Sequence, residues 1–186
     1  MRISNYYFSL VLLAIGSCWI LSGCAGSKKA MDVNGISSSQ IGDLMPAKGL
    51  TEWKGYSTRD TLFSEGDFSW RGLYLSYPEG YVLLEEDFSQ AGMPAQGFIN
   101  RIRIETPQEK VLNSLQVGMS VRELKSFASK WYVLYLEDYE MVDISSEQLT
   151  GLHFLVPAEH LLTQDHASLK MKHINKEAKI VSIVIM

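Results

Sequence analysis

Ile99-Asn100-Arg101-Ile102-Arg103-Ile104 and Ile180-Val181-Ser182-Ile183-Val184-Ile185 are two six-residue strings set 81 residues apart. Both are rich in β-branched residues and alternate with period two, the pattern of a half-buried strand. If Ile102 and Ile104 point inward, then Ile99, Arg101 and Arg103 point outward. Their counterparts in the second string are Ile180, Ser182 and Val184. The second string then has an apolar outer face, which needs a cover: the other half of the chain, a partner protein or a lipid. Two more pairs of strings follow the same order. Gly72-Leu73-Tyr74-Leu75-Ser76-Tyr77-Pro78 matches Gly151-Leu152-His153-Phe154-Leu155-Val156-Pro157 at an offset of 79, and Ser39-Gln40-Ile41-Gly42 matches Leu115-Gln116-Val117-Gly118 at 76. Three matches at nearly constant spacing predict an internal duplication.

Moving outward, Thr106-Pro107-Gln108-Glu109 has the spacing of a capping box with proline at the first helical position. It predicts a short helix carrying Val111, Leu112 and Leu115 inward, ended by Gly118. Ser120-Val121-Arg122-Glu123 is a second capping box. Val121, Leu124, Ala128 and Trp131, with Phe127 beside them, form an apolar stripe at helical spacing. Strands are expected at Tyr132–Leu136, Leu152–Val156, Leu169–Ile174 and Ile180–Ile185, with Asn175-Lys176-Glu177 turning a closing hairpin. The first half has strand-like runs near 73–77, 81–85 and 98–104. Its helical part, 40–55, is interrupted by Pro46 and Gly49. The expected fold class is α+β, with two tandem helix-loop-helix plus antiparallel-sheet units over 40–105 and 106–186.

The N-terminus reads as an address. Arg2 supplies a positive start, and Tyr6–Leu21 is a mostly apolar stretch of 16 residues, short for a spanning helix and right for a signal peptide. It ends in Leu21-Ser22-Gly23-Cys24, which resembles the lipobox of bacterial lipoproteins. That resemblance implies a signal peptide at 1–23 and a diacylglycerol on the Cys24 thiol. It also implies further acylation of the amine that cleavage frees, and multiple chains hold a protein stably at a membrane. Residues 24–39 are small and polar, a flexible tether. By the same resemblance, Ala25 suits outer-membrane sorting, and Lys28-Lys29 in place of an acidic run favours the periplasmic face. The chain holds two cysteines, Cys18 and Cys24. With both accounted for, the folded part has no disulfide, thiol nucleophile or cysteine metal site.

The strand at Arg101–Ile104, the Thr-headed helix and Val117-Gly118-Met119-Ser120 before a capped helix together resemble a group of small lipoproteins and inhibitors. It includes the outer-membrane assembly lipoprotein BamE (SmpA) and the β-lactamase inhibitory protein. The resemblance implies helix-loop-helix pairs packed on antiparallel sheets and a protein-binding role, and it carries over no binding residue.

Among 186 residues there are 17 Lys+Arg against 21 Asp+Glu, 46% of the chain is apolar, and the net charge is −4. That is a globular composition, too apolar for a disordered chain and without the basic excess of a nucleic-acid binder. His153, His160, His166 and His173 are spaced by seven, six and seven residues, and with Asp165 they fit no ligand spacing. No nucleophile motif, phosphate loop or dinucleotide fingerprint is present. The acidic groups Glu85-Glu86-Asp87 and Glu137-Asp138, Glu140, Asp143 read as the wet face of a strand and a turn. They also remain as paired carboxylates or as a patch for a basic partner. Trp131, Tyr132, Tyr135 and Tyr139, with Val184, form the candidate binding face. Trp53, Tyr56, Phe68, Trp70 and Tyr74 gather in the first half.

The sequence thus points to a membrane-anchored envelope lipoprotein with Cys24 as the lipidation site, no catalytic residue, no metal and no cofactor. Its expected partners are the membrane, through the lipid, and a protein. The alternatives are an envelope hydrolase acting on glycan or peptide, and a lipoprotein that holds an apolar ligand or lipid.

Overall fold

The computed structural model describes residues 33–34, 39–87, 89–90 and 97–186. The signal peptide, Cys24 and most of the tether lie outside the described residues. The strands, in chain order, are β1 (Val33–Asn34), β2 (Glu52–Trp53), β3 (Tyr56–Glu65), β4 (Phe68–Tyr77), β5 (Gly80–Glu86), β6 (Ser89–Gln90), β7 (Ile99–Ile104), β8 (Lys110–Val111), β9 (Tyr132–Leu136), β10 (Met141–Ser145), β11 (Leu152–Pro157) and β12 (Ser182–Ile185). One antiparallel sheet runs in the order β2-β3-β4-β5-β7-β12-β11-β10-β9, with β6 pairing the start of β4. Separately, β1 pairs β8.

The fold is therefore mainly β, not α+β. Among the described residues the single α-helix, α1, is Val121–Leu124. Neither expected helix-loop-helix unit forms, for local reasons. The helix expected after Thr106 is broken by positive φ at Leu112 and Asn113. The Thr106 hydroxyl instead accepts from the Gln108 N–H in a turn. The Ser120 capping box is present: Ser120 Oγ accepts from the Glu123 N–H, and Glu123 Oε2 accepts from the Ser120 N–H at 2.7 Å. Hydrogen bonds from the Ser120 hydroxyl and N–H hold the Glu123 carboxyl below its ordinary pKa. The helix lasts one turn, passes into a 3₁₀ turn at Lys125–Phe127, and stops where Ala128 becomes extended. Residues 40–55 hold no helix. Leu169–Ile174 is not a strand: it is a loop with a 3₁₀ turn at Met171–His173 that buries Leu169, Met171 and Ile174.

Two strands that the hydrophobic pattern hides complete the sheet. β3 follows β2 through Lys54-Gly55 and is joined to β4 by the two-residue turn Gly66-Asp67, where Gly66 takes φ +57°. β10 joins β9 through a 3₁₀ turn in which Glu140 is left-handed. Apart from the two-residue strands β2 and β6, the sheet consists of two four-stranded runs, β3-β4-β5-β7 and β9-β10-β11-β12. Their last strands meet at the centre, with Arg103 opposite Val184. The two halves share backbone contacts. The Gly42 N–H donates to Ile99 O and the Gly118 N–H to Ile180 O, both at 2.8 Å. The Glu105 N–H donates to Tyr81 O at 2.9 Å and the Met186 N–H to Gly151 O at 3.0 Å. In this arrangement β5, not β4, stands where β11 does, since each pairs the last strand of its meander.

One face of the sheet carries the core. Leu73, Leu75, Leu84, Ile102, Ile104, Ile144, Phe154 and Ile183 are fully buried there. Val111 of β8, with Leu115, Val121, Leu124, Ile174 and Ile180 from the segments between strands, packs with them. Ile99, expected to point outward, is 1% exposed in this core because a bulge at Glu85/Glu86 shifts the β5–β7 register.

Candidate functional site

Among the described residues, no second layer covers the opposite face of the sheet. Side chains alternating with the core set line a groove of about 670 Å³ that spans from β3 to β9. A polar strip runs along its centre. Arg101 holds Glu85 in a two-pronged ion pair, Nε to Oε2 and Nη2 to Oε1, both at 2.7 Å. Glu85, buried, also accepts from Trp70 Nε1 at 2.9 Å, so its oxygens are well occupied. The hydrogen bond to Glu85 raises the Arg101 pKa, against the opposing effect of burial. Tyr81 hydrogen-bonds Glu105, and burial together with that bond holds its phenol above the ordinary value. His153 Nδ1 lies 2.8 Å from Asp143 Oδ2, across the β10–β11 pair.

Three groups in the strip are left over. Arg103 Nε, Ser182 Oγ and Asp143 Oδ1 are buried and find no hydrogen-bond partner in the protein. Ser182 is 1% exposed. Each such group costs about 1–3 kcal/mol if nothing satisfies it, so three in one groove call for a ligand or water. The nearest approach of Arg103 to a carboxylate is Nη1 to Glu105 Oε1 at 3.9 Å, beyond hydrogen-bond range.

The walls flanking the strip differ. On the β3–β5 side they are aromatic: Phe63 stacks on Trp70 with centroids 5.4 Å apart, and Tyr74 meets Tyr81 edge-on at 5.0 Å. Gly72 leaves room here, since a Cβ would come within 2.6 Å of the Phe63 ring. On the β9–β12 side the wall is aliphatic, with Val184, Leu155, Met141 and Leu136, and Tyr139 stands at the rim, 67% exposed.

The aromatic residues singled out from sequence divide between the two faces. Trp131 and Tyr135 lie on the core side. Trp131 meets Phe154 edge-on at 6.2 Å and donates to Ala128 O, and Tyr135 packs on His166 at 4.2 Å. Tyr139 and Val184 line the groove. Tyr132 is exposed on β9 and hydrogen-bonds Glu147. Val184 is 7% exposed, on the floor between Arg103 and His153. His160, His166 and Asp165 do not converge, and no group of three His, Cys, Asp or Glu side chains that could hold a metal occurs among the described residues.

Sequence reasoning placed Arg101 and Arg103 on an outer face by alternation, and they line the groove. It did not find the His153–Asp143 pair, because that contact depends on the register between β10 and β11. Chemically, the pair orients an imidazole as in a hydrolase. The Ser182 hydroxyl on the same face makes no hydrogen bond to it.

No family model and no curated protein matches the chain. Among solved structures it is similar to the crystal structure of the uncharacterized protein yfeY from Escherichia coli. The TM-score is 0.52 at 13% identity, over 70% of this chain and 81% of that one. That likeness is one of fold.

Proposed function

We propose that the chain is a non-catalytic binding lipoprotein of the cell envelope, held at a membrane through Cys24, and that the groove on the sheet is where it binds. The carrying observation is the uncovered face itself: a groove of about 670 Å³, walled by aromatic and aliphatic side chains around a few unsatisfied polar atoms. Concave, mostly apolar sites with a few placed polar groups are the usual form of a ligand site. Among the readings open from sequence, this supports the apolar-ligand one over the hydrolase.

A protein partner keeps one specific observation in its favour. β9 is an edge strand, and its Leu134 is 59% exposed. An exposed, apolar sheet edge is a template for an added strand.

Native mass spectrometry of the protein from gently solubilised envelopes tests both. A bound small molecule, present in the wild type and absent from Leu155→Glu, supports the groove. A stoichiometric protein lost in Leu134→Lys and retained in Leu155→Glu supports the edge and overturns the groove as the principal site.

A further inference from the structure

We propose that the groove takes an amphiphile with an anionic head group of the phosphate or carboxylate class, its head on Arg103 and Ser182 and its apolar chain along the β9–β12 wall. This rests on the groove being a binding site.

The head-group assignment comes from the leftover valences. A guanidinium is always charged and presents its donors as a planar fork suited to carboxylate and phosphate. Arg101 has spent that fork on Glu85. Arg103 has not: its Nε is buried without a partner, and its Nη1 is 3.9 Å from Glu105. The adjacent strand supplies a second donor, the Ser182 hydroxyl, also buried and unpartnered. The remaining carboxylates of the strip are already engaged: Glu85 by Arg101 and Trp70, Glu105 by Tyr81, and Asp143 by His153 through one oxygen. Arg103 therefore has Glu105 at ion-pair distance but its hydrogen-bonding fork unfilled, and an anion would fill it.

The chain assignment comes from what adjoins the head. Val184 is the direct cross-strand neighbour of Arg103. From Val184 the aliphatic side chains step diagonally across the sheet, past His153 opposite Val184 and Asp143 opposite Leu155, to Leu155 on β11, Met141 on β10 and Leu136 on β9. The strands that hold them are three spacings of about 4.8 Å apart, so this diagonal of aliphatic side chains reaches at least about 14 Å across the sheet from Val184. A free anion would leave that floor wet. The aromatic wall is the poorer seat for a chain, because its rings already pack on one another.

The test is photo-crosslinking of the full chain with diazirine-bearing dodecanoate, dodecyl phosphate and dodecanol, with adducts mapped by peptide mass spectrometry. The expected result is that both anionic probes label the groove-facing peptides of β9–β12. Arg103→Gln should raise the concentration for half-labelling by tenfold or more for the anionic probes and leave dodecanol unchanged. Leu155→Glu should abolish labelling by all three, and circular dichroism should show both variants folded. If dodecanol labels as well as the anions and Arg103→Gln changes nothing, the head-group assignment is overturned and the groove stands. If inorganic phosphate displaces the probes as well as dodecyl phosphate does, the site is one for a free anion and the amphiphile is overturned. If no probe labels the groove, the amphiphile proposal and the apolar-ligand reading of the groove fall together.

Discussion

Arg103 and Val184 face each other across the central ladder of the sheet, a cation and an aliphatic side chain at corresponding places in two matched meanders. Near each, a glycine N–H donates to an isoleucine carbonyl, Gly42 to Ile99 and Gly118 to Ile180. The chemistry of the two strands differs. One strand brings arginines to the groove, and the other brings serine and valine.

Asp60 and Arg71 fasten the loop at 46–49 to the sheet. Arg71 donates to Asp60 Oδ1 and to the carbonyl of Pro46, both at 2.5 Å, and Asp60 Oδ2 accepts from the Gly49 N–H at 2.7 Å. Asp60→Ala leaves a buried guanidinium without its counter-charge and should cost about 3 kcal/mol, read by urea unfolding. Burial pushes the Asp60 pKa up, but the bonds from Arg71 and Gly49 outweigh it and the net shift is below 3.8. The unfolded chain then binds the extra proton at acid pH. The stability Asp60 supplies is complete above 3.8 and is lost as pH falls through the lowered folded value. Asp60→Ala should lose that part of the acid dependence.

Gly80 closes the β4–β5 hairpin after Pro78-Glu79 at φ +106°, and a Cβ there would stand 1.9 Å from the Glu105 carbonyl oxygen. Gly80→Ala should cost at least about 2 kcal/mol, since a left-handed conformation alone costs about 1–2 and the obstacle is backbone. Gly72→Ala meets a movable Phe63 ring instead and should cost less. Thermal unfolding of the two variants checks the order.

Phe154 on β11 is fully buried in the core face, and Leu134, two strands away on the edge strand β9, is 59% exposed. Phe154→Ala should destabilise by about 3–5 kcal/mol. Leu134→Ala should stay within about 0.5 kcal/mol. Equal losses in chemical denaturation would mean that the edge is covered in solution.

Cys24→Ala should move the protein from the membrane pellet to the soluble fraction when envelopes are fractionated, because the acyl chains supply the binding. If it still pellets after carbonate and salt washes, the lipid is not the anchor.

Six strands were legible in the sequence because their β-branched or aromatic alternation is plain, as at Ile99–Ile104. β3 was not. Tyr-Ser-Thr-Arg-Asp-Thr-Leu-Phe-Ser-Glu carries polar residues on both sides, as suits a strand near the sheet's edge, and its pattern predicts no element. β10 was hidden among acidic neighbours. The helices were over-read for the opposite reason. The cap signal at Ser120 was correct and the one at Thr106 was not, and the apolar stripe to Trp131 stays helical only through Phe127, after which Ala128 is extended and the chain enters β9 at Tyr132. Of the site, the outward arginines followed from alternation. The Glu85–Arg101 and Asp143–His153 contacts depend on register between strands, which no single segment encodes.

The sheet is joined at its middle by strands far apart in the chain: β7 ends at Ile104, and β12, which must lie beside it, begins at Ser182. Each meander can assemble from neighbouring hairpins, but their union is a late, high-contact-order event. Until it happens, β7 presents an open apolar edge of the kind that captures the wrong strand. A chain made from its N-terminus carries that hazard through the synthesis of everything from Thr106 to Val181. The step that joins the two meanders is therefore the same step that ends the exposure of that edge.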